Sequence, residues 1–320
     1  MISYNSTNLY GLQSQKYLAY LLRIRNKNFF KQSYVLTCIS PYIDNSGKPR
    51  LIEAPSDSLK KIQQRIKIEL NKIAVPYNVF SGVPGRSSIQ NAEIHKNNKF
   101  IFKIDLSAFF PHITRQSVYL FFKDTLKESP DVAEIITNLT TVDLSLCKMK
   151  DTLSVNSFIE KKKIKTTNHL ISGSPCSQIL SYLVNQQMFG ELQQYSNKNN
   201  ITMSIYVDDI TFSSNNNISY ENKRNIYKII SKYFYPVSRH KIKSYSANYP
   251  KEITGSIIAQ NTLKVPNRLS YKIIREFKYY KKHPDDKDSL NRLRGLLIAA
   301  RQNEPDKFKN IYQFILLHSK

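Results

Sequence analysis

The sequence is poor in the residue types that mark secreted, membrane-spanning or zinc-binding proteins. Tryptophan is absent, and the three cysteines (Cys38, Cys147 and Cys176) are too far apart to predict a disulfide framework or a metal site. No apolar run approaches about 18 residues and no signal peptide begins the chain, so we expect no membrane span. The six histidines show no zinc-like spacing with each other or with cysteine. These absences favour a protein of the reducing cytoplasm.

Acidic residues are also scarce. The chain has 24 Asp and Glu against 48 Lys and Arg, which gives a formal net charge of +24. A solvated basic surface is one explanation, but a chain this basic more often binds a polyanion, and nucleic acid is the first candidate. The 21 tyrosines and 16 phenylalanines suit stacking on bases. We therefore expect a nucleic-acid partner whose binding weakens steeply with salt.

Two adjacent aspartates lie between the short apolar segments 202–205 and 210–212. This pattern predicts a β-hairpin that carries Asp208 and Asp209 at its tip. A solvated turn is the common explanation of an isolated Asp-Asp pair. Adjacent carboxylates repel each other, however, and a divalent cation that prefers oxygen ligands, such as Mg²⁺, would remove that cost.

A third acid, Asp105, ends the apolar, strand-forming segment 100–104. A carboxylate at the end of a buried strand needs a partner. Carboxylates on neighbouring strands can hold two metal ions roughly 3.5–4 Å apart, of which one activates an attacking hydroxyl and the other stabilises the leaving oxygen. Asp105 and Asp208 are the predicted bridging ligands, with Asp209 as a weaker ligand. The sequence thus favours nucleotidyl transfer that depends on two Mg²⁺ ions.

These segments resemble motifs A and C of reverse transcriptases. Asp105 is followed by two phenylalanines, Phe109 and Phe110, and the downstream Tyr206–Asp209 matches Tyr-x-Asp-Asp. The resemblance implies that Phe110 is the steric gate that rejects a 2′-OH, with Phe109 beside it at the nucleotide site, and that the backbone of Leu106 joins the metal ligands. A plain core phenylalanine is the alternative for Phe110.

The family implies an α+β fold of the right-hand polymerase type. We expect N-terminal helices and fingers over 1–99, a palm with an antiparallel sheet over 100–250 (finger elements inserted around 115–170) and a helical thumb over 251–320. Periodicity and turn residues predict the elements. They are helices in the first thirty residues, a hairpin with strands 34–39 and 50–53, helices at 57–73, 87–97, 115–127, 176–196 and 219–235, a lysine-rich insert at 145–167, and three basic helices over 267–320.

Other family motifs predict the nucleotide site. By resemblance, Lys48 and Arg50 grip the incoming triphosphate, because cations would neutralise charge on the leaving pyrophosphate. Motif B falls at 171–178, where Gly173 lets the backbone approach the templating pair closely. Ser172 and Gln178 depart from the usual Gln and Pro, which puts the usual glutamine contact to the nucleotide in doubt. Lys241 aligns with the lysine of motif D, a candidate general acid, and the nearby Lys243 is the alternative.

Two short motifs resemble the retron branch of the family. Residues 91–95 match its Asn-Ala-x-x-His signature, and Ile253-Thr254-Gly255 matches Val-Thr-Gly with Ile for Val. The resemblance implies that Asn91 and His95 help hold the cognate RNA, and that residues 253–255, with Tyr206, contact the template–primer. A histidine satisfied within the protein is the alternative for His95.

The expected protein is a bacterial, cytoplasmic retron-type reverse transcriptase that copies part of a structured non-coding RNA into short single-stranded DNA. The resemblance implies priming from a guanosine 2′-OH, a branched RNA–DNA product, dNTP substrates and a role in antiphage defence beside a toxic effector encoded nearby. It covers residues 34–320 and implies no maturase or endonuclease domain. The alternatives are a general reverse transcriptase of another mobile or defence element and a non-catalytic RNA-binding scaffold. The three intact aspartates argue against the scaffold.

Overall fold

The computed structural model describes residues 2–149 and 151–318, and it combines helices with antiparallel sheets, which confirms the α+β class. The helices are α1 (Gln15–Leu22), α2 (Gln32–Thr37), α3 (Asp57–Leu70), α4 (Ser88–Glu93), α5 (Phe109–His112), α6 (Arg115–Leu120), α7 (Pro130–Thr140), α8 (Thr152–Lys162), α9 (Ser177–Val184), α10 (Gln186–Lys198), α11 (Tyr220–Lys232), α12 (Asn267–Lys282), α13 (Lys287–Arg301) and α14 (Lys309–His318). The strands are β1 (Ile39–Asp44), β2 (Arg50–Pro55), β3 (Phe100–Asp105), β4 (Thr141–Asp143), β5 (Asn168–Leu170), β6 (Thr202–Tyr206), β7 (Asp209–Ser214), β8 (Lys243–Tyr245), β9 (Lys251–Ile253), β10 (Ser256–Ala259) and β11 (Thr262–Lys264).

A four-stranded sheet in the order β6-β7-β3-β8 positions the predicted acids. β6 and β7 form the predicted hairpin, and β3 pairs with β7 so that Asp105 lies opposite Asp209. The same register pairs Phe102 with Phe212, and both rings are buried on one face of the sheet. Because a slip of one residue would expose those rings, this core face fixes the register and brings the acids to one edge.

The fingers and the palm share one hydrophobic core. It runs continuously from the N-terminal segment through α3, α7 and α9 to the central sheet, without a break at residue 99. The hairpin β1–β2 contributes Ile39 and Leu51 to this core, and the small sheet β4–β5 contributes Val142 and Leu170. Its members include Leu22, Leu59, Ile66, Leu139, Leu180 and Phe212.

The C-terminal helices α12, α13 and α14 have a core of their own. It begins at Val265 and includes Ile273, Leu293 and Leu297. The preceding sheet, in the order β11-β10-β9, packs instead on the palm, where its residues Ile253 and Ile258 join a separate cluster with Ala92 and Ile101. By packing, therefore, the helical unit begins after residue 264, and residues 251–264 belong with the palm.

Two predicted elements differ from the structure. The strand predicted at 34–39 is mostly the helix α2, and β1 begins at Ile39. Val35 and Leu36 are neighbours and both buried, which suits a helix in this setting better than a half-buried strand, where faces alternate. The helix predicted at 176–196 is interrupted at Asn185, whose side-chain amide donates to the Ser181 carbonyl oxygen at 2.9 Å.

Candidate active site

A two-residue turn joins β6 to β7 and carries the first of the paired aspartates. Tyr206 and Asp209 face each other across the strand ends, so Val207 and Asp208 form the tip. Val207 has a φ of +59°, a region that β-branched residues rarely adopt. Strain of this kind persists only where the surrounding structure imposes it, and here it turns the tip toward the end of β3.

The structure brings Asp105, Asp208 and Asp209 together, as predicted. The Leu106 amide donates to the Asp208 carbonyl oxygen at 2.9 Å, which ties the residue after Asp105 to the turn. Burial raises the pKa of Asp208 to about 6, and the charges of Asp105 and Asp209 add to the rise. Burial also raises the pKa of Asp209, although Lys103, at 3.8 Å, acts in the opposite direction. The carboxylates at this edge of the sheet therefore repel each other, and the nearby lysine does not fully offset their negative charge.

The donor set fits a hard divalent cation. Asp105 Oδ1 is buried and has no hydrogen-bond partner within the described part of the chain. In the same residues, 2–149 and 151–318, no three His, Cys, Asp or Glu side chains are grouped closely enough to enclose a metal ion. Mg²⁺ is usually held by one or two carboxylates together with substrate phosphates and water, so an incomplete protein cage is what such a site requires.

Lys241 lies at this edge. Its Nζ atom is 2.6 Å from Asp105 Oδ2. The preceding segment is fastened to β3, because the Ser107 amide donates to the Pro236 carbonyl oxygen and the Ser238 amide to that of Asp105. Lys243, the alternative, instead pairs with Glu252 at 3.2 Å. The structure thus places Lys241 in contact with Asp105, whereas Lys243 acts on Asp209 only through its charge.

The two phenylalanines after Asp105 have different surroundings. Phe109 is buried, and its ring lies 5.3 Å from that of Tyr235 and 6.3 Å from that of Phe189. The helix α5 begins at this residue and the ring packs into the core, so a place for Phe109 at the nucleotide site stays a prediction. Phe110 is half-buried, so its ring retains an open face, and its role as the steric gate stays a prediction.

The predicted nucleotide-gripping residues lie on the hairpin β1–β2. Lys48 and Arg50 are exposed near its tip. Gly173 lies beside the other end of β2, where a Cβ atom would collide with the carbonyl oxygen of Glu53. The glycine therefore permits a close approach of the motif B loop to the fingers strand β2. The resemblance implied instead that this glycine permits a close approach to the templating pair.

The family model described as "Reverse transcriptase (RNA-dependent DNA polymerase)" matches residues 40–265. The chain belongs to this family. Membership implies a right-hand polymerase fold and a general dependence on divalent metal. The matched segment ends where the separate core of the C-terminal helices begins.

The curated relatives of this reverse transcriptase include several retron enzymes. The retron Se72 reverse transcriptase of Salmonella heidelberg (strain 579083-10) is 29% identical over 187 residues, which cover 57% of this chain and 42% of the relative. The retron Ec83 reverse transcriptase of Escherichia coli is 25% identical over 263 residues, 80% of this chain and 79% of the relative. The retron Mx65 reverse transcriptase of Myxococcus xanthus is 23% identical over 269 residues, 83% and 61% of the two chains. The resemblance to retron-type reverse transcriptases is thereby confirmed, although the chain spans less than half of the Se72 relative.

The two retron motifs of this reverse transcriptase contact each other inside the protein. The Asn91 side-chain amide donates to the Thr254 hydroxyl at 3.2 Å. His95 is fully buried, and its ring nitrogens lie 2.6 Å from Ser213 Oγ and 2.7 Å from Ser204 Oγ. Burial lowers the pKa of His95 to about 3, so the ring is neutral near pH 7.

The role of Asn91 and His95 in holding the cognate RNA stays a prediction, and because both side chains are buried it would act through the protein fold. Asn91 and Ile253 are buried like His95, and a neutral ring with both nitrogens engaged has nothing to offer a phosphate. Thr254 and Gly255, both at positive φ, form the turn between β9 and β10, and Gly255 is exposed. Of the residues predicted to contact the template–primer, this turn is accessible and Tyr206 is half-buried.

Sequence reasoning missed one group of buried polar residues in the reverse transcriptase. Glu53, His169 and Ser172 join the fingers hairpin to the motif B loop, and both Glu53 and His169 are fully buried. The sequence did carry a signal for the burial of Glu53. This residue lies two positions after Leu51 on a strand and therefore shares its inward face.

Among the described residues, no helix is both long enough and apolar enough to cross a bilayer.

Proposed function

We propose that the chain is an active retron RNA-directed DNA polymerase that copies part of a cognate structured non-coding RNA into short single-stranded DNA. The observation that carries the proposal is the convergence of Asp105, Asp208 and Asp209 at one sheet edge, where Asp105 Oδ1 has no partner among the described residues. A scaffold without catalysis would gain nothing from carboxylates that repel each other, whereas a metal-dependent polymerase requires clustered carboxylates as metal ligands.

Each part of the site has a proposed task. Asp105, Asp208 and Asp209, with the Leu106 carbonyl oxygen, would hold two Mg²⁺ ions, which supply charge neutralisation and an activated 3′-hydroxyl when bound. Lys48 and Arg50 draw the triphosphate toward the hairpin, and Phe110 excludes the 2′-OH of a ribonucleotide. Lys241 gives up a proton to the departing pyrophosphate, for which its position beside Asp105 is suitable.

The polyanionic partners follow from the net charge of +24. We propose that the enzyme binds its own non-coding RNA, starts from a guanosine 2′-OH in that RNA and keeps the branched RNA–DNA product. Tyr206 and the turn at Thr254 and Gly255 would contact the template–primer. By analogy with retrons we further propose that it acts in the bacterial cytoplasm, in antiphage defence, beside a toxic effector.

The test is to express the chain in bacteria with its native upstream sequence and to look for RNase-resistant short DNA. The control is a twin in which Asp208→Asn and Asp209→Asn are combined. A discrete band that vanishes in the twin, and shortens slightly after cleavage of its 2′–5′ link, is the expected result. If no band appears but the purified protein extends a primer on any RNA, the enzyme belongs to another mobile or defence element.

A further inference from the structure

Glu53 is a fully buried acid outside the catalytic edge. It lies on β2, and its side chain has no exposed surface. A buried carboxylate is strongly destabilising unless hydrogen bonds and an opposite charge compensate it. Here Oε1 lies 2.7 Å from His169 Nε2, and Oε2 accepts the Ser172 amide at 2.7 Å. Both oxygens are therefore satisfied by the segment that leads from β5 into motif B.

The backbone of β2 is also joined to the Ser172 side chain. The Glu53 amide donates to Ser172 Oγ at 3.2 Å, and the Ser172 hydroxyl donates to the Leu51 carbonyl oxygen at 3.3 Å. Next to it, only a glycine fits at position 173, because any Cβ would collide with the Glu53 carbonyl oxygen. The contact between β2 and residues 172–173 is thus close and specific on both sides.

This contact explains a departure from the family pattern. Where the resemblance leads one to expect a glutamine, Ser172 has a short hydroxyl that fits between the Glu53 amide and the Leu51 carbonyl oxygen. A glutamine side chain could not occupy that gap and satisfy both groups in the same way. In this chain, position 172 is directed to the fingers strand.

The geometry links this contact to nucleotide binding. Arg50 begins β2 and Glu53 lies three residues later, a span of about 10 Å along an extended strand. The motif B loop continues directly into α9, which belongs to the core shared with the palm. A strand held at Glu53 therefore sets where Lys48 and Arg50 stand relative to the palm.

We propose that Glu53, through His169 and Ser172, is a positioning residue for the incoming nucleotide. It holds the fingers hairpin at a fixed distance from the motif B loop. Lys48 and Arg50 can then bind the triphosphate without the hairpin first having to become ordered. The inference rests on the proposed polymerase function. It assigns Glu53 no contact with substrate, which separates it from the gripping residues.

The test compares Glu53→Gln with Glu221→Gln, a change of an exposed acid in the first turn of α11. Single-nucleotide incorporation on a primed RNA gives kcat and the dNTP KM, and filter binding gives the Kd for the primer–template. We expect Glu53→Gln to raise the dNTP KM about tenfold while kcat and primer–template Kd change less than about twofold. Glu221→Gln should change none of them. An unchanged dNTP KM in a folded Glu53→Gln protein, or equal losses in kcat and primer affinity, would overturn the proposal.

A milder variant covers the case in which Glu53→Gln does not fold. Ser172→Ala removes the hydroxyl but keeps the amide that Glu53 accepts, so we expect a rise of about threefold in the dNTP KM. An unchanged KM in this variant counts against the proposal as well.

Hydrogen exchange separates this proposal from polymerase activity. In Glu53→Gln the Ser172 amide should exchange at least about tenfold faster, with α9 unaffected. If the wild-type protein incorporates no nucleotide, the proposed function fails, and the exchange rates alone decide whether Glu53 joins hairpin and loop. Unchanged exchange at Ser172 would show that it does not.

Discussion

The Asn91 side-chain amide donates a hydrogen bond to the Thr254 hydroxyl, 163 residues later in the chain, at 3.2 Å. The Thr254 hydroxyl donates in turn to the Ser88 carbonyl oxygen at 2.8 Å. Just beyond α4, His95 bonds to serines on β6 and β7. The two motifs that mark the retron branch are therefore one structural unit, which connects the β9–β10 turn to the strands of the β6–β7 hairpin.

A double-mutant cycle should detect this connection. Asn91→Ala and Thr254→Ala remove the same hydrogen bond, so their effects on the free energy of unfolding should be non-additive by about 0.5–1.5 kcal/mol. Urea denaturation of the two single variants and the double variant measures the coupling. The matched control pairs Asn91→Ala with Thr262→Ala, which removes a local hydroxyl bond in the next turn. Additivity in the first cycle would show that the motifs are not coupled.

The buried His95 should make the protein sensitive to acid. Its pKa is lowered to about 3 in the folded state, so between about pH 6.5 and 3 the unfolded chain binds a proton that the folded chain does not. The free energy of unfolding should therefore fall with decreasing pH, by at most about 1.4 kcal/mol per pH unit from this residue. In His95→Gln, measured by urea denaturation across that range, the dependence should be shallower.

The control for that experiment is His240→Gln, which changes an exposed histidine. It should leave the pH dependence as in the wild type. If His95→Gln and His240→Gln have the same pH dependence, the neutral buried ring is not its source. Comparison of variants is needed because Asp208, with a raised pKa, acts in the opposite direction over part of the range.

The β6–β7 hairpin and the strand β3 beside it were predictable from the sequence because their signals are local. An apolar run that ends in an acid marks β3, and alternating apolar residues around two aspartates mark β6 and β7. The contact between Glu53 and His169 was not predictable, since the two residues are 116 positions apart and no local pattern in either segment indicates which residue it contacts. For His95 a satisfied histidine was only the alternative, because the serines that bond to its ring lie on strands 109 and 118 residues away.

The raised pKa of Asp208 predicts a gain in stability when its charge is removed. The folded pKa of about 6 exceeds that of an unfolded aspartate, so the folded protein binds the extra proton and loses stability as pH rises from about 4 to 6. At pH 8 without metal, Asp208→Asn should raise the free energy of unfolding by on the order of 1–2 kcal/mol. At pH 4 the gain should disappear. Polymerisation should be lost at any pH.

Added Mg²⁺ gives the matching measurement. It should raise the Tm of the wild type, because a ligand that binds only the folded state stabilises it, and it should have a smaller effect on Asp208→Asn. Asp285→Asn, in an exposed turn, should behave as the wild type in both experiments. Equal stability of Asp208→Asn and wild type at pH 8 would mean that the carboxylate is not destabilised by its surroundings.

Substitutions of the adjacent Phe109 and Phe110 should have different effects, one on the stability of the fold and the other on the selectivity for dNTPs over NTPs. Phe110 is half-buried and lies five residues after Asp105, so Phe110→Ala should admit ribonucleotides, seen as a ratio of kcat/KM for dNTP over NTP that falls by at least about tenfold, with little loss of stability. Phe109 packs on Phe189 and Tyr235 in the core, so Phe109→Ala should cost about 3–5 kcal/mol of unfolding free energy. The substitution at Phe109 should leave the nucleotide ratio unchanged in whatever fraction remains folded. If Phe110→Ala kept the wild-type ratio, the 2′-OH would have to be excluded by another group, since no steric contact from this ring would remain.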